Sequence, residues 1–315
     1  MCCLFGLIDS RRVLTGRQKS RLIACLSQES EARGTDAAGI AYNSHGRLCI
    51  YKRPGPAHQL RFRIPEDTRV VMGHTRLTTQ GNANRNRNNH PFSGQVPGTR
   101  FALAHNGVLH NDLALRKHRG LPDTKIETDS YIAVQLIEQQ GALTPDSLRE
   151  MAEAVEGSFV FTVLDRADNL YFVRGDNPLC LLRFPRLGLY LYASTETILR
   201  QAIARTWLRG ERTEHIPTAC GDILRIDRGG DIQRSRFVPP RTNFCGWGGW
   251  RACLPSRSAP AEVRYLEQLK GVASSMGYAP EQIDRLLGEG WSADEIEDAL
   301  YSYDYLREGD QPCWC

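Results

Sequence analysis

The chain opens MCCLFGLID, Met1–Asp9, and the reading of this stretch decides the fold. Apolar residues run from Leu4 to Ile8 and stop at Asp9, the length of a buried strand rather than a helix. Two cysteines precede the run. If Met1 is removed, Cys2 carries its thiol and an α-amine on one carbon. An amine with an ordinary pKa of about 7.7–8.0 can act as a base near neutral pH. A nucleophile paired with its own amine needs no histidine, and none lies nearby in sequence. Taken alone, the two residues also fit a buried, inert cysteine. Alternation along the strand turns position 3 away from position 2, so Cys3 is expected in the core.

Similar short runs recur down the chain: Gly39–Tyr42, Val70–Met72, Phe101–Ala104, Phe159–Leu164, Leu170–Val173, Leu179–Leu182, Leu189–Ala193 and Ile223–Ile226. They are rich in β-branched and aromatic residues and are bounded by turn formers, which predicts strands. Helical spacing is visible over Arg17–Ser27, Thr128–Gln139 and Thr195–Ala204. Strand clusters separated by helices predict a layered α/β or α+β domain, not strict βαβ alternation. After Pro239 the texture changes. Residues 239–260 form a Pro/Gly/Ser-rich linker, and residues 261–315 read as a small all-α region. That region holds a weak repeat, GYAPEQIDRLL from Gly277 and GWSADEIEDAL from Gly290. Pro280 suits a first helical turn, and Ser292 with Glu295 fits a capping box.

The net charge of +4 is unevenly spread. Residues 241–315 carry 7 Lys+Arg and 12 Asp+Glu; residues 1–240 carry 33 and 24. The arginines of the basic part are scattered, without a basic run interleaved with aromatics, so no nucleic-acid partner is expected. There is no run of about 18 apolar residues and no signal-peptide pattern, so no membrane partner and a cytoplasmic location are expected. The ten cysteines are then mostly free thiols. Cys245, Cys253, Cys313 and Cys315 are spaced C-x₇-C and C-x-C, unlike the usual zinc pairs, so no metal or other cofactor is expected.

Further segments carry chemistry: RGTDAAGIA (Arg33–Ala41), GHTRLTTQG (Gly73–Gly81), NHPF (Asn89–Phe92), AHNGVLHN (Ala104–Asn111) and ETDSY (Glu127–Tyr131). With the N-terminal Cys-x-x-Phe-Gly, their order and spacing resemble the class II glutamine amidotransferases, whose N-terminal-nucleophile (Ntn) glutaminase domains are joined to synthases. RGDNPL, YASTETIL and GDILRI extend the resemblance more weakly, so that it covers residues 2–235. It implies a four-layer αββα sandwich with two mostly antiparallel sheets over residues 1–238. It also implies a Cys2 nucleophile that hydrolyses the side-chain amide of L-glutamine, or of a γ-glutamyl compound, through a thioester. Three departures from the family pattern stand out: Cys3 where Gly is usual, Leu77 where an aromatic is common, and Gln80 for a frequent His.

Residue chemistry fits these roles. Arg76 offers a fork for a substrate α-carboxylate, though it equally fits a structural ion pair. Asp129 can accept from an α-ammonium, or complement a helix N-terminus. Asn106 and Gly107 suit an oxyanion hole, or an ordinary Asn-Gly turn. Thr79 can hold the substrate's polar end. His105 reads as structural, and His90 with Pro91 shapes the loop above the site. In the resembled family Arg33 and Asp36 frame the nucleophile's end; a structural ion pair is the alternative. The stretch NANRNRNN (Asn82–Asn89) reads as a mobile polar loop, which in the resembled family closes over glutamine. No phosphate-binding G-x-x-x-x-G-K-[ST] follows, and the residues after Thr242 are too few for a synthase domain. The expectation is ammonia delivery to a separate protein, or a stand-alone amidohydrolase. The alternative is a catalytically silent glutamine-binding module with the acidic tail as its docking piece.

Overall fold

The computed structural model describes residues 2–239 and 278–291, together with Leu266, Leu269, Lys270, Ala273, Ala293, Ile296 and Leu300. The chain divides into two compact units, Met1–Gly246 and Trp247–Cys315.

The first unit is α+β and contains two antiparallel sheets. The first sheet has seven strands: β1 (Cys3–Asp9), β2 (Ala37–Ser44), β3 (Arg47–Pro54), β4 (Val70–Arg76), β9 (Cys180–Phe184), β10 (Leu189–Ala193) and β11 (Glu214–His215). Their order is β11-β9-β10-β1-β4-β2-β3, so β1 is central. The second sheet has six: β5 (Phe92–Val96), β6 (Thr99–Leu109), β7 (Gly157–Asp165), β8 (Leu170–Arg174), β12 (Asp222–Ile226) and β13 (Ile232–Arg236), in the order β13-β12-β8-β7-β6-β5. Eight of the nine apolar runs fall within these strands, and the ninth, Leu179–Leu182, begins one residue before β9.

Alternation sorts the core. On β1, Cys3, Phe5 and Leu7 pack with α1 (Gly16–Glu29) and α5 (Glu196–Ala204). Leu4 and Ile8 point the other way, into a cluster shared with Ala102 and Ala104 of β6 and Val160 of β7. The far face of the second sheet, with Leu103, Phe161 and Val163, packs on α3 (Tyr131–Gln140) and α4 (Pro145–Ala154). The short α2 (Asp112–Arg119) lies mostly at the surface. Cys3 is fully buried on the face opposite Leu4, as its parity predicts.

Two features fix β1 in place. At its end, Asp9 accepts from the backbone N–H groups of Val13 and Leu14 at 2.9 and 3.0 Å. Buried Lys19 lies 3.5 Å from the same carboxylate and donates to the carbonyls of Glu66 and Thr68. Removing either charge would strand the other away from water. At its middle, Gly6 leaves room for neighbours on both sides. A Cβ there would stand 2.2 Å from the Val71 carbonyl oxygen and 2.6 Å from the Tyr192 ring.

In the second unit, α6 (Pro280–Gly288) begins at the expected proline. Its Ile283 packs with Leu269, Ala273, Ile296 and Leu300. The predicted linker beyond Pro239, the Ser292–Glu295 capping box and the four C-terminal-region cysteines lie outside the described residues.

Candidate active site

The site forms where the start of β1 meets the end of β4. Cys3 pairs with Thr75 and Leu4 with His74. Continuing that antiparallel register sets Cys2 across from Arg76, and cross-strand partners share a face. That face is the one turned toward the second sheet. Cys2, Arg76, Thr79, His90, His105, Gly107 and Asp129 line one cavity of about 10 Å³, the room of roughly one water. A larger groove of about 350 Å³, lined among others by Tyr51, Lys52, Arg53 and Ser93, contains no cysteine.

Cys2 is buried and its thiol points to the Leu77 carbonyl at 3.5 Å. Burial pushes the thiol pKa up; the Arg76 guanidinium pulls against it. Arg76 is buried too. It donates to Asn89 Oδ1 at 2.7 Å and to the carbonyls of Gln80 and Gly81 at 2.5 and 3.2 Å. These acceptors are all neutral, and no carboxylate pairs with Arg76 among the described residues. Lys52 behaves alike. It donates to the carbonyls of Asn89 and Pro91, and burial first, then Arg76, lowers its pKa to about 8. The cavity therefore sits in a field of positive charge that an anionic group would complement.

Asp129 supplies the opposite charge on the cavity wall. Its carboxylate accepts from Leu109 N at 2.7 Å and from Ser130 Oγ at 3.2 Å. Because the Ser130 proton goes to Asp129, His105 Nδ1 is the donor in the 2.8 Å contact to Ser130 Oγ. His105 is stacked on Phe161 and its pKa is lowered by burial. His74 donates to the His105 carbonyl at 3.0 Å, and burial drives its pKa to about 3. The His90 ring lies tilted against His74, centroids 4.1 Å apart, and its pKa too falls well below the ordinary value on burial. This imidazole layer is neutral at physiological pH and serves as packing under the loop.

Asn106 and Gly107 lie near the end of β6. Gly107 has φ +142°, and a Cβ would come within 1.9 Å of the Ser158 carbonyl oxygen, so only glycine fits. Asn106 is fully buried. Its carbonyl accepts from Asn177 Nδ2 at 3.0 Å, and its own Nδ2 lies 3.4 Å from Ser194 Oγ. Ser194 Oγ also accepts from Leu4 N at 2.9 Å, which ties Asn106 to the cysteine-bearing strand. Arg33 and Asp36 do not line the cavity. Arg33 Nε donates to the Cys2 carbonyl at 3.2 Å, and Asp36 accepts from Thr78 N at 2.7 Å. They hold the backbone on either side. Thr79 is on the cavity wall but exposed.

Sequence reasoning did not single out His74, Asn89, Lys52, Ser130 or Ser194. His74 had a local signal, since it shares a β4 face with Arg76. The loop Asn82–Asn89, expected to be mobile, is laced by hydrogen bonds. Asn88 and Asn89 are buried, and their amides donate to the carbonyls of Asn82 and Ala83.

A glutamine–fructose-6-phosphate aminotransferase of Bacillus cereus is 35% identical over 190 residues, 57% of this chain and 30% of its own length. That of Streptococcus pyogenes is 30% identical over a similar span. The chain is related to the class II glutamine amidotransferases. It spans about a third of the length of these curated relatives. A solved glutamine phosphoribosylpyrophosphate amidotransferase from B. subtilis superposes with a TM-score of 0.61 at 19% identity, over 75% of this chain and 49% of that one, which shows a shared fold. No protein-family model matches the chain.

Proposed function

We propose that the chain is a cysteine-dependent glutaminase, with Cys2 the nucleophile once Met1 has been removed. The observation that carries this reading is one cavity lined together by Cys2, Asp129, left-handed Gly107 and Arg76, whose guanidinium is held by neutral acceptors. L-glutamine, or a γ-glutamyl compound with the same amide, presents its α-carboxylate to Arg76 in place of the Gln80 and Gly81 carbonyls. Its α-ammonium pairs with Asp129, and Thr79 holds the polar end. Cys2 Sγ attacks the side-chain amide carbon as the thiol proton passes to the Cys2 amine. The developing oxyanion accepts from Asn106 Nδ2 and the Gly107 N–H. Collapse breaks the C–N bond, the amine's proton goes to the departing nitrogen, and ammonia leaves a glutamyl thioester. Water then adds to the thioester, releasing glutamate and the thiol.

The same reading takes residues 1–238 as the glutaminase domain, 239–260 as a linker and 261–315 as a helical region. The three stacked apolar clusters support a four-layer αββα arrangement of that domain. Ammonia passes to a separate accepting protein. The setting is the cytoplasm, where reducing chemistry keeps Cys2 a thiol; no helix among the described residues is long and apolar enough to cross a membrane.

Intact mass of the purified protein tests the core of this reading. The expected result is loss of Met1, one adduct on Cys2 with a glutamine-mimicking electrophile, and ammonia release from glutamine. Retained Met1 with no ammonia would overturn it. Arg76→Lys tests the carboxylate clamp. Lysine keeps the charge but loses the fork, so KM for glutamine should rise about tenfold or more while kcat falls less. An unchanged KM would remove Arg76 from substrate binding.

A further inference from the structure

Loop 79–89 is tied down by one carboxylate from a distant part of the chain. Glu127 pairs with Arg85 and lies 3.8 Å from Arg87. It accepts from Asn88 Nδ2 at 2.9 Å and from Asn82 N at 3.5 Å, and Asn88 Oδ1 in return accepts from Glu127 N at 3.0 Å. Arg87 Nε donates to the neighbouring Lys125 carbonyl at 2.8 Å. The loop's internal bonds make it a single piece: Asn88 to Asn82, Asn89 to Ala83, and the Asn84 N–H to Asn82 Oδ1 at 2.9 Å.

The piece so held lies in the substrate's way. It delivers the Gln80 and Gly81 carbonyls to Arg76, occupying guanidinium hydrogens that a carboxylate would need. It leaves about 10 Å³ beside Cys2, far less than an amino acid occupies. Glu127 is followed directly by Thr128 and Asp129, which line that cavity. The loop's anchor and the ammonium acceptor therefore share one short segment.

We propose that Glu127 latches loop 79–89 shut over Cys2, and that release of its contacts to Arg85, Arg87 and Asn88 precedes substrate entry. Glu127 touches no substrate; it is a positioning residue that acts through the loop. The proposal rests on the glutaminase reading only in taking Cys2 as the reacting thiol.

The test is the rate at which iodoacetamide modifies Cys2, followed by peptide mass in the full chain. This probe is small and neutral and needs neither Arg76 nor Asp129. Glu127→Gln and Arg85→Ala should each speed Cys2 modification about fivefold, and the double variant should be no faster than the quicker single one. Added salt should speed the parent but not the Glu127→Gln variant. Cys49, half-buried on β3, is the internal control and should keep its rate. An unchanged Cys2 rate in both variants, or equal acceleration of Cys2 and Cys49, overturns the latch. A parent that behaves this way but releases no ammonia would overturn the glutaminase reading and leave the latch standing.

Discussion

Cys2→Ala is expected to lower ammonia release from glutamine by about 10⁴-fold or more, the scale seen when an enzyme loses its nucleophile. No neighbour can take over. Cys3 is fully buried on the opposite face of β1, packed with α1 and α5. Stability should change by about 1 kcal/mol or less, since only one small side chain is lost. The pH profile of the parent gives a second check. Burial is the main influence on the Cys2 thiol and favours its neutral form. The buried imidazoles nearby, pushed down by the same burial, are poor bases. The proton must therefore go to the α-amine, which accepts it only when deprotonated. The acylation rate should rise with pH through about 7.7–8.0 and level off above. A rate that falls across that interval would eliminate the amine as base, and substantial turnover by Cys2→Ala would eliminate the thiol.

What the sequence made legible follows from the range of the forces involved. Strand runs such as Phe159–Leu164 were readable because both faces of their strands are buried, which leaves a continuous apolar signature. β3 was missed because it is an edge strand whose side chains are largely half-buried or exposed, with arginine and lysine among them. α2 was missed because it buries only Asp112 and leaves Leu113 exposed. Cys2, Arg76, Asp129 and the Asn106–Gly107 pair stood out from their motifs, and the cavity brings Cys2, Arg76, Gly107 and Asp129 together. The supports did not stand out. Ser194 is 88 residues from Asn106, and Glu127 is 39 residues from Asn88. Contacts of that separation have no local pattern. For the same reason the asparagine-rich loop read as mobile: its composition shows turn formers, but its anchor lies elsewhere.

Asn106→Ala separates catalytic from structural roles at the proposed oxyanion hole. Gly107 cannot be tested by adding a methyl group, because the Cβ would collide with the Ser158 carbonyl and disturb the β6–β7 pairing. Asn106 can. Its Oδ1 is buried without a hydrogen-bond partner among the described residues, and its Nδ2 makes only a long contact to Ser194. A buried acceptor left unmet costs stability, so truncating this amide removes an unfavourable group along with a weak favourable one. Thermal stability should hold or rise slightly. Activity should move the other way. Loss of one oxyanion donor typically lowers kcat about 10²- to 10³-fold, and KM should stay near the parent value because the donor acts on charge that develops only in the transition state. Steady-state kinetics beside a thermal melt make the comparison. A kcat within about threefold of the parent would take Asn106 out of the oxyanion hole. A large fall in melting temperature would mean that the Asn106 side chain supports the fold. The pairing of lost turnover with retained stability is what a side chain kept for chemistry rather than for packing should show.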